Sequence, residues 1–473
     1  MNNNEKKLGL FALVAMVIGS MIGGGAFNLI TDMGAKSGGL SIIIGWIITG
    51  IGMIALGLSL QNLTRVRPDL DGGIYNYAKA GFGDYMGFNA AWGYWFSTLL
   101  GNVAYGTLLM TALGTFFPMF EGGNNIPSII GASLLLWSVF ILISKGVKNA
   151  AIVNIIVTIA KLVPIFAFIV TMIVVFNFDT FKAGFYGMTG PHKNTFNFFD
   201  TMTQVKSTMV VTVWAFLGVE GATVFSSRAK KRSDVGKATI IGLVSVLIIY
   251  IMITLLAQGV ILQSKIGELS NPSMAAVMEH IVGKWGAHFI NIGLMISVMG
   301  AWLGWSLLSA EVPNLAAKDD IFPEWFGRDN KNNAPVNAML VTFIIIQAFF
   351  ISLLFTDKAY RFAFSLASSA VLLPYAFSSF YQLKYSIHKK LSSSQIVIGA
   401  ISSIYSIWLI IAAGMEYLLL MMVLFFPGIF VYCRVQKTHG RTVTKVDKII
   451  FAVLSVLTMV GVYYMLSGKI TIF

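Results

Sequence analysis

Gly19-Ser-Met-Ile-Gly-Gly-Gly-Ala-Phe27 lies inside the first of a series of long apolar runs, and its three consecutive glycines decide how that run is read. Glycine is a poor helix former, so three in a row interrupt a helix and bare backbone that lipid cannot solvate. A membrane tolerates such an interruption only where it faces protein or a wet cavity. A second interruption, Trp214-Ala-Phe-Leu-Gly-Val-Glu-Gly221, falls inside the sixth run. Five spans separate the two, as expected if the first ten helices form two five-helix repeats of opposite topology. In that architecture the unwound halves of the first and sixth helices meet at the midplane. Free N–H groups then point at a carboxylate and free C=O groups at an ammonium. The backbone of an amino acid carries that pair of charges. Glycines in spans also serve plain helix packing, but two breaks at corresponding places argue against that simpler use.

Composition supports the membrane reading. Of 473 residues, 56% are hydrophobic and 11% charged, against about a quarter charged in a soluble domain. The apolar runs each approach the roughly 20 residues a helix needs to cross hydrocarbon. Alternating strands of the kind that build membrane barrels are not seen. The fold class is therefore all-α, a polytopic membrane protein with spans at 8–32, 39–62, 86–117, 126–144, 150–176, 208–227, 238–262, 287–316, 336–356, 362–383, 396–413, 414–433 and 449–466. The organisation expected is one membrane domain, with repeats over 8–176 and 208–383 and additional helices over 396–466.

The net charge of +13 resides in short loops rather than in a nucleic-acid patch. With the N-terminus in the cytoplasm, the inner loops carry Arg65, Arg67, Lys79, Lys145, Lys148, the run Arg228-Ala-Lys-Lys-Arg232, Lys389, Lys390 and the stretch Arg434 to Lys448. That arrangement places roughly 23 Lys/Arg inside and roughly 9 outside, a bias that sets the orientation. An odd number of spans puts the C-terminus outside. The opening Met1 to Lys7 is short and polar, and no small-residue cleavage site follows the first span, so a retained helix is expected. The one cysteine, Cys433, makes no internal disulfide, and no spacing suggests a metal. The longest polar stretch, Asn177 to Lys206, reads as an ordered outer loop or short surface helix.

Ionisable residues at a span centre cost about 2.5–3.5 kcal/mol each, which makes them functional candidates. Lys161 lies mid-span in Thr158-Ile-Ala-Lys-Leu-Val-Pro164, and Glu220 lies in the sixth-span break. Glu311 in the eighth span is near enough to an end to snorkel. Trp214, beside the second break, and Trp305, in Trp302-Leu-Gly-Trp-Ser306, offer aromatic faces to a cation. Asn102, deep in the third span, needs a polar partner, and Tyr94 lies two turns earlier on a similar face.

At this point the sequence resembles the amino acid–polyamine–organocation transporter superfamily, within it the basic amino acid/polyamine antiporters, and most closely their arginine/ornithine members. The resemblance runs from about residue 8 to 340 and more weakly beyond. Besides the first break, it is carried by Leu70-Asp-Gly-Gly-Ile-Tyr-Asn-Tyr-Ala-Lys-Ala-Gly-Phe-Gly-Asp84, Gly101-Asn-Val-Ala-Tyr105, Phe225-Ser-Ser-Arg-Ala-Lys-Lys-Arg-Ser-Asp-Val-Gly-Lys-Ala238 and Ala316-Ala-Lys-Asp319. It implies a ten-helix inverted-repeat core with two to three appended helices. It places the substrate carboxylate on the backbone at Gly23, Gly24 and Gly25, and the α-amino group on carbonyls at Trp214 and Leu217. Trp305 corresponds to a tryptophan that packs on the substrate side chain, and Asn102 to an amide that reaches its far end. Glu220 corresponds to a glutamate of gating and pH response, and Tyr375, after Pro374, to a gate aromatic. Lys161 resembles a lysine whose ammonium stands where sodium binds in sodium-coupled cousins. In one departure, Gly24 replaces a serine whose hydroxyl contacts the carboxylate in arginine/agmatine antiporters, so backbone N–H groups do more here.

The function this resemblance implies is exchange of an external amino acid for a related metabolic product, with arginine for ornithine preferred. Tyrosine/tyramine exchange, histidine/histamine exchange and proton-coupled uptake stay open, as does, more remotely, a channel or membrane sensor. No catalysis is expected, since His192, His280, His288, His388 and His439 fall in loops or near span ends. The expected partners are a small-molecule amino acid, its exchanged product and the lipid bilayer, with no nucleic acid, no cofactor and no metal; a homodimer is left open.

Overall fold

The computed structural model describes residues 9–70, 74–145, 150–188, 192–219, 230, 232–355 and 359–470. Every regular element among them is helical. The chain divides into two compact units. The first comprises Met1–Gln61, Leu108–Gly123 and Asn149–Ala301; the second comprises Asn62–Thr107, Asn124–Lys148 and Trp302–Phe473.

In the first unit, α1 (Leu10–Met21) stops at the glycines, a 3-10 turn follows over Gly24–Phe27, and α2 (Leu29–Gly34) resumes the course. Most of α3 (Gly39–Val66) belongs here, with α7 (Ala150–Val175), α8 (Phe178–Ala183), α9 (Phe198–Phe216) and α10 (Arg232–Gln258). Two short helices, α11 (Gln263–Ile266) and α12 (Ser273–Val282), precede the first half of α13 (Lys284–Lys318). On α7, Ile159, Val163, Phe166, Val170, Ile173 and Val174 are exposed at three- and four-residue spacing. A stripe of bare aliphatic and aromatic residues at helical period is the face a helix turns to lipid. The opposite face packs closely because α13 carries glycines there: a Cβ at Gly300 would strike Val157, and one at Gly293 would strike Pro164.

The second unit holds α4 (Ile74–Phe82), most of α5 (Asp84–Gly114), α6 (Ile126–Ser144) and the second half of α13. It continues with α14 (Val336–Ser352), α15 (Ala359–Ala370), α16 (Leu372–His388), α17 (Ser393–Thr438) and α18 (Lys445–Leu466). Buried serines hold α16 to α17, with Ser379 Oγ 2.6 Å from Ser402 Oγ and 3.2 Å from Ser406 Oγ.

Among the described residues, ten helices are long and apolar enough to cross a membrane, and the chain is a multi-pass membrane protein. α1 is too short alone because the break ends it, while α9 is polar over its first third. α17 would extend about 69 Å as one rod, far more than the roughly 30 Å of hydrocarbon. Its backbone turns at Gly414 (φ 84°, ψ 159°), the junction at which the sequence reading divides it into two spans. The sixth helix begins ten residues earlier than expected, at Phe198 rather than 208. Asn197 caps it, accepting from the Asp200 N–H at 3.1 Å. Its polar Gln204 is satisfied internally, accepting from Gly38 N–H and Ser41 Oγ and donating to Tyr186 O.

Candidate functional site

The first unit brings the two helix breaks together. α1 ends where Ile22 turns extended (φ −79°, ψ 92°) and Gly23 leaves the helical region (φ −102°, ψ −149°). α9 ends at Phe216, and Leu217 (φ −55°, ψ 131°) leads into Gly218 at φ +102°, a conformation that L side chains rarely adopt. Ser20 Oγ donates to Gly218 O at 3.0 Å. From α10, the Tyr250 hydroxyl lies 3.1 Å from both Met21 O and Ala215 O, one carbonyl from each broken helix. Neither Tyr250 nor Ser20 stands out in the sequence. The only signal at Tyr250 is a hydroxyl set in an aliphatic run, which needs a partner wherever it is buried.

Around these breaks, Gly23, Gly24, Gly25, Trp214 and Leu217 are all buried. A Cβ added at Gly25 would overlap the Trp214 indole, 2.8 Å from Cδ1. The glycine is therefore required by close approach of the ring. The N–H groups of Gly24 and Gly25 open the 3-10 turn over Gly24–Phe27, so that turn offers them no carbonyl of its own. A buried N–H without a partner is uncommon and costly, and a row of them suits an anionic oxygen.

Lys161, on α7, is 1% exposed and belongs to the same unit. Its ammonium donates to Gly19 O at 2.7 Å and to Ile22 O. These are carbonyls freed where α1 stops, so a fixed cation satisfies the C-terminal end of the broken helix. Glu220 lies outside the described residues, as do Gly221 and most of the basic run that follows.

The second unit carries the remaining candidates. Asn102 on α5 is fully buried; its Nδ2 donates to Thr98 O at 2.8 Å, and its Oδ1 accepts from Ser306 Oγ at 3.0 Å. Ser306 follows Trp305 on α13, and Trp305 meets Tyr105 edge-on, centroids 6.4 Å apart. Tyr94 is buried on α5, and Tyr375 is fully buried in the first turn of α16. Glu311 is half-buried on α13.

Two of the sequence blocks also meet in this unit. The Tyr75 hydroxyl on α4 donates to Asp319 Oδ2 at 2.9 Å, Asn76 donates to the same oxygen at 3.1 Å, and Lys79 Nζ donates to Asp319 O. Burial, and next the Asp319 carboxylate, hold the Tyr75 phenol well above its ordinary pKa, so it remains a donor. In the same unit, Arg67 pairs with Asp69 at 2.6 Å, an ion pair that lifts the guanidinium further and lowers the carboxyl.

Comparison with known proteins agrees with this architecture. A family model described as amino acid permease matches residues 8–439. An arginine/ornithine antiporter of Pseudomonas aeruginosa is 43% identical over 483 residues, 99% of each chain. A protein of the same name from Latilactobacillus sakei is also 43% identical, across 99% of this chain and 98% of its own. An arginine/agmatine antiporter of Chlamydia abortus is 39% identical over 99% of each chain. With a match of that extent and relatives of that similarity, the chain belongs to the amino acid permease family.

Proposed function

We propose that this protein is an amino acid antiporter of the bacterial plasma membrane that exchanges external arginine for internal ornithine without altering either molecule. The observation that carries the reading is the pair of interrupted helices, joined through Tyr250 and Ser20, with the Gly24 and Gly25 N–H groups at the open end of a 3-10 turn. Those groups suit an α-carboxylate, and the carbonyls at Trp214 and Leu217 suit an α-ammonium. The names of the relatives support arginine as one of the exchanged partners.

In this reading the N-terminus is cytoplasmic, as the basic loops favour, and residues 8–176 and 208–383 are inverted repeats. Lys161 takes the place of a coupling sodium ion. Trp305, Asn102 and Tyr94 are assigned to the substrate side chain, and Glu220 and Tyr375 to gating. Arginine/agmatine names among the relatives favour agmatine as the second candidate for the outgoing molecule.

The test is trans-stimulation in proteoliposomes. Vesicles loaded with ornithine should take up labelled arginine many times faster than empty vesicles. Those loaded with agmatine, tyramine or histamine should resemble the empty ones. Equal uptake into empty vesicles would refute exchange, and stimulation by agmatine alone would replace ornithine with it.

A further inference from the structure

We infer that Ser306 is a positioning residue that holds the Asn102 amide as an acceptor for a cationic side chain, and thereby selects guanidinium and ammonium substrates over uncharged isosteres. The inference rests on the exchange proposed above and on the assignment of Asn102 to the substrate.

The argument is one of hydrogen-bond complementarity. Asn102 and Ser306 are both fully buried, and Asn102 Nδ2 lies 2.8 Å from Thr98 O. A carbonyl only accepts, so the amide edge facing it must be NH2, and the opposite atom must be the oxygen. Ser306 Oγ lies 3.0 Å from that oxygen and, having one proton, must donate it there. The two contacts hold the amide from both ends. They consume one N–H and one lone pair, leaving a second N–H on the nitrogen and a second lone pair on an oxygen whose direction is set. A guanidinium donates to such an oxygen with a positively charged N–H, a bond roughly twice as strong as the one a neutral ureido N–H makes. Ser306 is also the neighbour of Trp305 on α13, while Asn102 is on α5, so this hydrogen bond links the ring and the amide assigned to one side chain. Loss of the hydroxyl leaves a buried amide oxygen short of a partner and the side chain held from one end only.

The experiment is equilibrium binding of labelled arginine to the purified transporter, with displacement by unlabelled citrulline. Ser306→Ala should weaken arginine binding about tenfold and shrink the arginine-over-citrulline preference by a similar factor. Combining Ser306→Ala with Asn102→Ala should do no more than Asn102→Ala alone, because Ser306 acts through Asn102. A serine that merely supports the fold would weaken both ligands alike and would add to Asn102→Ala. Unchanged affinity and preference in Ser306→Ala, or multiplying effects, would overturn the assignment. Should Ser306→Ala give no folded protein, Ser306→Cys, a much weaker donor, reads the same preference. A wild type that binds no arginine would refute the exchange reading itself, and a wild type that binds it beside an unaltered Ser306→Ala would refute this inference alone.

Discussion

Adding one methyl group at Gly25 should disable the protein, and the structure sets the size of the effect. A Cβ at that position would lie 2.8 Å from Trp214 Cδ1, and closer still to Nε1. Real Cβ contacts essentially never fall below 3.0 Å, so either the ring or the backbone must move. Trp214 is 5% exposed and held within the first unit, so it has little room to yield. Overpacking of this kind costs about 1–3 kcal/mol. If the indole is displaced only in the substrate-bound state, that range corresponds to about 5- to 140-fold in affinity at 1.4 kcal/mol per decade. If it is displaced in both states, the same energy is lost from folding. Arginine binding and thermal unfolding, measured on one detergent-purified preparation, separate the two. Gly9→Ala is the control, because nothing lies within 4 Å of a Cβ there. A Gly25→Ala protein with wild-type affinity and melting temperature would refute the close-approach argument.

Other perturbations follow from the same geometry. Gly218→Ala meets a positive φ of 102° and places a Cβ 2.5 Å from Ser20 O; it should lower the melting temperature sharply, and an unchanged melt would contradict the described break. Tyr250→Phe removes the hydroxyl shared by Met21 O and Ala215 O, at a cost of about 0.5–1.5 kcal/mol; exchange should slow, and a wild-type rate would remove Tyr250 from the mechanism. Because the Lys161 ammonium bonds to Gly19 O and Ile22 O, uptake should persist when choline replaces sodium. A strict sodium requirement would end that assignment.

Much of this was legible in the sequence for a physical reason. Both breaks announce themselves because glycines inside an apolar run contradict helix propensity, and the structure leaves the helix at Ile22 and at Leu217. Gly414 marks the α17 junction in the same way. The start of α9 was not legible, since Asp200, Gln204 and Lys206 read as a loop until Gln204 is seen to bond Gly38, Ser41 and Tyr186. The short helices α11 and α12 leave too little periodicity to detect. Among the candidate site residues, Lys161 and Asn102 declare themselves by polarity in a span. Tyr250 and Ser306 are ordinary residues that acquire their partners only through folding, and a linear pattern holds no trace of that.

Exchange of like-charged amino acids is electroneutral, and an imposed membrane voltage exposes any departure from it. Arginine and ornithine both carry net +1 near neutral pH, so one-for-one exchange moves no charge. Arginine against agmatine differs by one charge, worth about 2.3 kcal/mol per 100 mV. Arginine uptake into ornithine-loaded proteoliposomes should therefore be the same with and without an imposed potassium–valinomycin potential. Uptake that rises or falls steeply with that potential would exclude one-for-one exchange of arginine for ornithine.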